Sequence, residues 1–466
     1  MENRVKLLMK DTLIYAIGTL GSKIIVFLLI PLYTSYLTSE QFGQVDLINT
    51  IVALLSPVFC LQLTDGVYRF LIDNNNIKYQ KKVLSTVNYT LIFNIILTSA
   101  IAFVWYRIFN PNINIFLIFL YIWSDVFIQI YKQALRAKDR LKEFSLLGIF
   151  NTLILCLLNI YFITSLRLGY IGIILAGTVA NYFTVVGIYI IDKSIFTIDY
   201  KYFELDLFKK MIQYSLPLIL VGMNWWIINS SDRFIIAYLL DLSALGIYSL
   251  AAKFSSIVFI FSNVFFKAWQ SIAIKHANDE DISTLYSNVF NSIVFIVLSV
   301  TLFITLASRY IVRIMATPEY FQAWEQVPIL VIGVVFWLLS SMLSTVFMAQ
   351  KESKNLLYTS LIASGINIIM NLLFIKYIGI YAASFSTLIS FGILFIIRFF
   401  MINKRLHLKV SAESTIINGI LVACAIFINY LNNDINRYLL QISILVVFFI
   451  LNLKQLKKSI NIIFKR

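Results

Sequence analysis

Ten charged side chains lie inside long apolar stretches of this sequence, where a charge costs several kcal/mol unless it faces a partner or a wet cavity. Three of them, Asp125, Lys132 and Arg398, are predicted to be structural or to reach the membrane surface. The other seven are concentrated in two pairs of predicted spans. They are Lys23, Asp46, Asp65, Arg69, Asp232, Arg233 and Lys253. A lysine offers an anion a compact point charge, and an arginine can bind it through two hydrogen bonds. We therefore predict that the four cations line an anion-binding cavity. The alternative is a set of structural ion pairs between helices, or gates near the helix ends.

The three aspartates of this set could instead couple transport to an ion gradient. An aspartate inside a membrane can bind a proton or Na⁺ and couple its gradient to transport. The sequence favours none of Asp46, Asp65 and Asp232 over the others, so all three are predicted ion-coupling or gate residues. Asp65 and Arg69 are four residues apart, which allows them to pair on one helix face. Pro57 predicts a bend in the same helix.

The elements that carry these charges come in two matching pairs. Predicted spans Thr12–Leu37 and Phe42–Phe70 are joined by a short polar turn, and Ile212–Leu240 and Ala244–Ala268 repeat the arrangement about 200 residues later. Two charged helix pairs in corresponding places predict two halves that close around one polar cavity.

Composition decides the class of protein. The chain has 466 residues, of which 60% are hydrophobic and only 13% charged, whereas a soluble domain carries about 25% charged residues. A membrane span needs about 20 apolar residues, and its backbone must pair within helices or closed barrels. The apolar runs are continuous rather than alternating, which excludes a barrel. We expect an all-α integral membrane protein of about fourteen transmembrane helices.

Nothing in the sequence predicts catalysis. The three cysteines, Cys60, Cys156 and Cys424, all lie within predicted spans, and no Gly-rich phosphate loop or nucleophile constellation occurs. We expect no metal, no cofactor and no enzyme activity.

Charge also predicts the orientation. With the N-terminus inside, 26 of the 38 Lys and Arg residues fall in inside segments and six in outside segments. Lys and Arg accumulate in cytoplasmic loops, so both termini are predicted to be cytoplasmic. The net charge of +15 then reflects topology, and we expect no nucleic-acid partner.

An internal repeat predicts the domain organisation. The tetrapeptide Tyr-Ile-Gly-Ile occurs at residues 170–173 and again at 377–380. Six spans per half is an even number, which gives a parallel repeat about an axis along the membrane normal. We predict an N-lobe of six spans at residues 1–200 and a C-lobe of six at 201–403. Residues 404–466 add two further spans and a basic tail.

Several motifs resemble a known family. Tyr214–Ile219, Trp225-Trp226, Asn229–Phe234 and Ala244–Ala251 are similar to the seventh and eighth helices of bacterial polysaccharide repeat-unit flippases. The segment from Gly18 to Arg69 is similar to the first two helices of the same proteins. These are the O-antigen and capsule flippases of the multidrug/oligosaccharidyl-lipid/polysaccharide (MOP) exporter superfamily.

The resemblance implies a function. It implies transfer of an undecaprenyl-diphosphate-linked oligosaccharide from the inner to the outer leaflet of the bacterial cytoplasmic membrane, without ATP hydrolysis. The substrate diphosphate would then be the anion that Lys23, Lys253, Arg233 and Arg69 bind. Expected partners are this lipid-linked oligosaccharide, membrane lipids, H⁺ or Na⁺ as a coupling ion, and a polysaccharide polymerase. The alternatives are a lipid II flippase, a cation-coupled drug exporter of the same superfamily, or a membrane glycan polymerase or ligase.

Overall fold

The chain is an all-α protein. A computed structural model describes residues 21–72, 76–109, 114–277, 279–350, 352–431 and 434–464. Across these segments it consists of fifteen α-helices with defined bounds, a π-helical turn at Tyr161–Ser165, three short 3₁₀ turns and connecting loops, with no strand. Eleven of the described helices are long and apolar enough to cross a membrane. The predicted class, an all-α integral membrane protein, is confirmed.

In chain order, the helices of the described segments are α1 (Ile30–Tyr36), α2 (Ser39–Phe59), α3 (Leu63–Ile72), α4 (Ile77–Phe109), α5 (Ile115–Ala137), α6 (Leu141–Ile160), α7 (Gly169–Ile191), α8 (Leu205–Leu239), α9 (Leu242–Lys275), α10 (Ile282–Met315), α11 (Ala323–Ala349), α12 (Ser353–Ile378), α13 (Ile380–Leu406), α14 (Ala412–Asn429) and α15 (Asp434–Phe464). A helical segment at residues 21–28 precedes α1 and is separated from it by a turn at Leu29. Residues 12–20 of the first predicted span lie outside the described residues.

The chain forms two compact units. The first comprises the chain up to Ala237 together with Asp241–Gly246, and the second comprises Tyr238–Leu240 and the chain from Ile247 onwards. In the first unit, α3 and α5 contribute fully buried side chains such as Leu71 and Leu135 to the apolar core.

The last two spans are part of the second unit. Helices α14 and α15 pack with α10 around a core that includes Leu302, Ala425 and Phe448. Asn418 and Asn452 exchange amide hydrogen bonds of 3.2 and 3.0 Å between α14 and α15. Buried amides of this kind need such partners, so the pair fixes the register of the two helices.

The prediction for the second span, Phe42–Phe70, is wrong in one respect: this stretch forms two helices rather than one bent helix. Helix α2 ends at Phe59 and α3 begins at Leu63. Leu61 and Gln62 both adopt a left-handed conformation, with φ of 52°. Pro57 lacks an N–H and disfavours continuation of the helix, and two left-handed residues then break it.

The segment between α7 and α8, residues 192–204, packs against α4 and α5 in the first unit. The Asn88 amide of α4 donates to the carbonyl oxygens of Ile195 and Thr197, both at 3.0 Å. Lys138 at the end of α5 pairs with Asp192 at 2.8 Å. These bonds hold the segment against α4 and α5.

Candidate substrate-binding site

Three of the predicted charges meet in the first unit. Arg233 on α8 donates from Nε to Asp46 Oδ2 on α2 at 2.7 Å, and its Nη1 lies 3.5 Å from Asp232 Oδ1. The same Nη1 donates to the Asn229 carbonyl at 2.7 Å. The side chains of Arg233, Asp46 and Asp232 are 19%, 10% and 8% exposed. A cation this buried needs such counter-charges, so the guanidinium is an ion-pair centre between α2 and α8.

The break between α2 and α3 gathers polar groups at the other end of α2 from this centre. The Gln62 N–H donates to the Pro57 carbonyl at 2.7 Å, which closes the turn. Asn94 on α4 donates to the Phe59 carbonyl at 3.0 Å. The Gln62 side chain donates from Nε2 to Asp65 Oδ2 at 2.8 Å. Discontinuous helices of this kind form substrate and ion sites in many transporters, because freed backbone and polar groups gather at the break.

A cavity of about 280 Å³ lies against the break. We call it the α2–α8 cavity, and its lining residues come from α2, the break and α8. They are Ala53, Leu54, Pro57, Gln62, Ile219, Gly222, Met223, Trp226, Asn229 and Ser230. Asn229 lies both in the cavity wall and at the ion-pair centre, since its carbonyl binds Arg233. The cavity and the charged cluster are therefore adjacent parts of one site.

Trp226 is fixed in this wall. Its indole Nε1 donates to the Thr50 carbonyl of α2 at 3.0 Å, and its ring lies 5.4 Å from that of Phe234. A buried tryptophan N–H normally finds such a partner. The hydrogen bond spans α8 and α2, so it holds the two cavity walls together.

Two glycines allow α2 and α9 to cross closely. A Cβ added to Gly43 would lie 1.9 Å from the Leu242 carbonyl oxygen, and one added to Gly246 would lie 1.9 Å from the Ser39 carbonyl oxygen. The hydroxyls of Ser39 and Ser243 form a hydrogen bond at the same crossing. Only glycine allows this approach of backbones, and all of these residues belong to the first unit.

The other predicted site residues lie elsewhere. Lys23 is exposed on the helical segment 21–28, and Arg69 is exposed on α3. Lys253 is half-buried on α9, in the second unit. The proposed pairing of Asp65 with Arg69 is replaced by the hydrogen bond from Gln62. The site roles assigned to all seven residues remain predictions.

Sequence reasoning missed Gln62 and the backbone acceptors of Thr50 and Asn229. The signal for Gln62 was a polar residue five positions after Pro57 inside an apolar run. The two backbone acceptors carry no signal in the sequence, because any residue type supplies a carbonyl.

Solved structures share this fold. The inward closed form of lipid II flippase MurJ matches with a TM-score of 0.73 and 13% identity, over 95% of this chain and all of that one. The inward-facing form of a multidrug resistance MATE family transporter of the MOP superfamily matches with a TM-score of 0.68 and 16% identity, over 84% of this chain and 98% of that one. At these identities the likeness concerns the fold.

The family models that match the chain, together with its fold, identify a membrane transporter of the MOP exporter superfamily. The family can be stated as well. The sequence-family model for polysaccharide biosynthesis proteins matches residues 8–270, which are more than half of the chain, so the chain belongs to that family. The model for lipid II flippase MurJ matches residues 254–452. An uncharacterized membrane protein of Methanocaldococcus jannaschii is 23% identical over 423 residues, which are 85% of this chain and 98% of that protein.

Proposed function

We propose that the protein is a flippase that moves undecaprenyl-diphosphate-linked oligosaccharide repeat units from the inner to the outer leaflet of the cytoplasmic membrane. Its product would serve O-antigen or capsular polysaccharide synthesis. The observation that carries the proposal is membership of the polysaccharide biosynthesis protein family over residues 8–270. The partly buried charge cluster at one end of α2 and the helix break at its other end support a polar substrate path through the membrane.

The proposed mechanism is alternating access, with no chemical step. Lys23 and Lys253 bind the substrate diphosphate as point charges, and Arg69 adds a further cation. Arg233 contributes to the same path, but Asp46 and Asp232 already share its charge. We therefore assign Arg233 mainly to positioning α2 against α8. The three aspartates remain candidates for coupling to H⁺ or Na⁺.

A reconstituted assay tests this proposal. Proteoliposomes containing the full chain receive lipid-linked oligosaccharide in the inner leaflet, and a lectin added outside reports its arrival. We expect the wild type to expose the glycan and the Lys23→Ala, Lys253→Ala double variant to lose about tenfold or more in rate, since each charged hydrogen bond contributes about 1.5–3 kcal/mol. Lys142→Ala, an exposed lysine outside the cluster, is the matched control. Unchanged transport by the double variant at wild-type abundance contradicts the diphosphate assignment.

A second candidate function is lipid II translocation. The match of the MurJ model to residues 254–452 and the likeness to the MurJ fold favour it. The same proteoliposomes loaded with lipid II separate the two candidates. Faster transport of lipid II than of longer oligosaccharide-lipids would replace our first proposal. A protein that transports neither but lowers cellular drug sensitivity would be an exporter of the MATE kind.

A further inference from the structure

The α2–α8 cavity differs in chemistry from the charge cluster next to it. None of its ten lining side chains is ionisable. Arg233, one helical turn beyond the lining residue Asn229, is engaged by Asp46 at 2.7 Å and by the Asn229 carbonyl at 2.7 Å. A diphosphate needs fixed cations, and a cationic drug needs carboxylates or open aromatic faces. The cavity suits an uncharged ligand better than either.

Its walls are amphipathic in a way that fits a sugar. Ala53, Leu54 and Pro57 form an apolar side, while Gln62, Asn229 and Ser230 bring amide and hydroxyl groups. Ligand sites commonly combine a mostly apolar lining with a few polar groups that fix orientation. A pyranose ring presents C–H faces to apolar and aromatic surfaces and hydroxyls to amides.

We propose that the α2–α8 cavity is a subsite for one uncharged sugar ring of the lipid-linked oligosaccharide. In this subsite Trp226, held by its hydrogen bond to the Thr50 carbonyl, provides the aromatic surface, and the polar side chains of the lining, those of Asn229 and Ser230, meet the sugar hydroxyls. The inference rests on the proposed function, because it assigns part of the same substrate. It separates recognition into two places: lysines for the diphosphate and a neutral cavity for the glycan.

Gly222 offers a direct test of occupancy. Gly222 lines the cavity, and a Cβ built on it meets no atom within 4 Å, so this position has room for a side chain. Replacing a helical glycine also favours the helix, so loss of binding in Gly222→Leu would not follow from unfolding. Gly419 on α14 likewise has open space around its Cβ position. Gly419→Leu is therefore the matched control.

Binding is measured by NMR titration on the detergent-purified full chain. The probes are the lipid-free repeat-unit oligosaccharide of the host strain and inorganic diphosphate. For the oligosaccharide we expect Gly222→Leu to weaken the Kd by about tenfold or more, the scale on which a filled pocket rejects a ligand. Trp226→Ala should weaken it about threefold to tenfold, and Gly419→Leu should leave it unchanged. Diphosphate binding should be the same in the wild type, Gly222→Leu and Gly419→Leu.

The outcomes separate this inference from the proposed function. If the wild type flips the lipid-linked oligosaccharide but Gly222→Leu binds the free oligosaccharide as tightly as the wild type, the sugar subsite is overturned and the flippase stands. If Gly222→Leu loses inorganic diphosphate binding, the cavity receives the headgroup and the subsite is again overturned. If oligosaccharide binding falls as expected while the wild type flips nothing, the subsite stands and the proposed function fails.

Discussion

At the scale of single residues, Arg233 is held by a carboxylate from α2, a carboxylate from its own helix and a backbone carbonyl. We expect Arg233→Gln to lower the free energy of unfolding in detergent. The loss should fall at or below the low end of the ~3–5 kcal/mol seen when one partner of a buried pair is removed, because these side chains are not fully buried. Asp46→Asn combined with Arg233→Gln should recover part of it, and thermal unfolding of the four proteins gives the coupling energy. Additive losses would show that the pair contributes no mutual stabilisation.

Asp192 gives a prediction about pH. Burial alone would raise the pKa of Asp192, but hydrogen bonds from Lys138 and Ser194 outweigh it and hold the pKa below its usual value. The folded state therefore prefers the carboxylate. The resulting stabilisation is complete above the ordinary Asp pKa of about 3.9 and is lost as the pH falls through the lowered folded value. Asp192→Asn should lower the Tm at pH 7, and the difference from the wild type should close towards pH 3. An equal difference at both pH values would contradict this account.

At the scale of elements, we predict that the crossing of α2 and α9 opens during transport. In a background without Cys60, Cys156 and Cys424, we expect Ser39→Cys with Ser243→Cys to form a disulfide in the membrane, because the two serine hydroxyls are in hydrogen-bond contact. The cross-linked protein should not flip its substrate, and reduction should restore transport.

The control for this experiment is the pair Glu40→Cys with Ser243→Cys. Glu40 is exposed, whereas the neighbouring Ser39 is buried at the crossing. This pair should cross-link poorly and transport normally. Full transport by the cross-linked Ser39–Ser243 variant would mean that the crossing stays closed throughout the cycle.

The helix break is a second feature at this scale. Asn94→Leu removes the amide that satisfies the Phe59 carbonyl at the end of α2. An unsatisfied buried acceptor costs about 1–3 kcal/mol, so we expect a loss of that size in the free energy of unfolding. Thr90→Val on the same helix is the control, since the Thr90 hydroxyl bonds only within α4, to the Thr86 carbonyl at 2.8 Å. If both variants lost the same free energy of unfolding, the hydrogen bond from Asn94 to the Phe59 carbonyl would contribute nothing specific to the stability of the break.

At the scale of the whole molecule, the distribution of Lys and Arg predicts which side of the membrane each loop faces. Single cysteines at Glu40, Asp241 and Glu319, all exposed, should react with an impermeant maleimide added to intact cells. A cysteine at Asp139, also exposed, should react only after the cells are opened. Labelling of the Asp139 variant from outside would overturn the fourteen-span topology.

The sequence by itself determined the class of the protein. Continuous apolar runs and a 13% charged fraction leave helices in a membrane as the way to satisfy the backbone. The resemblance in Tyr214–Ile219 and Ala244–Ala251 indicated the superfamily, which the comparisons confirm. These properties depend on composition and local pattern, so they can be read along the chain.

Tertiary structure decided which charges meet and where the polar groups lie. Asp46 and Arg233 are 187 residues apart, and no local pattern indicates that they form an ion pair. Pro57 predicted a bend, but only the left-handed conformations of Leu61 and Gln62 turn the bend into a break. The α2–α8 cavity likewise depends on the packing of two distant helices, because a cavity is a property of side chains that approach from different parts of the chain.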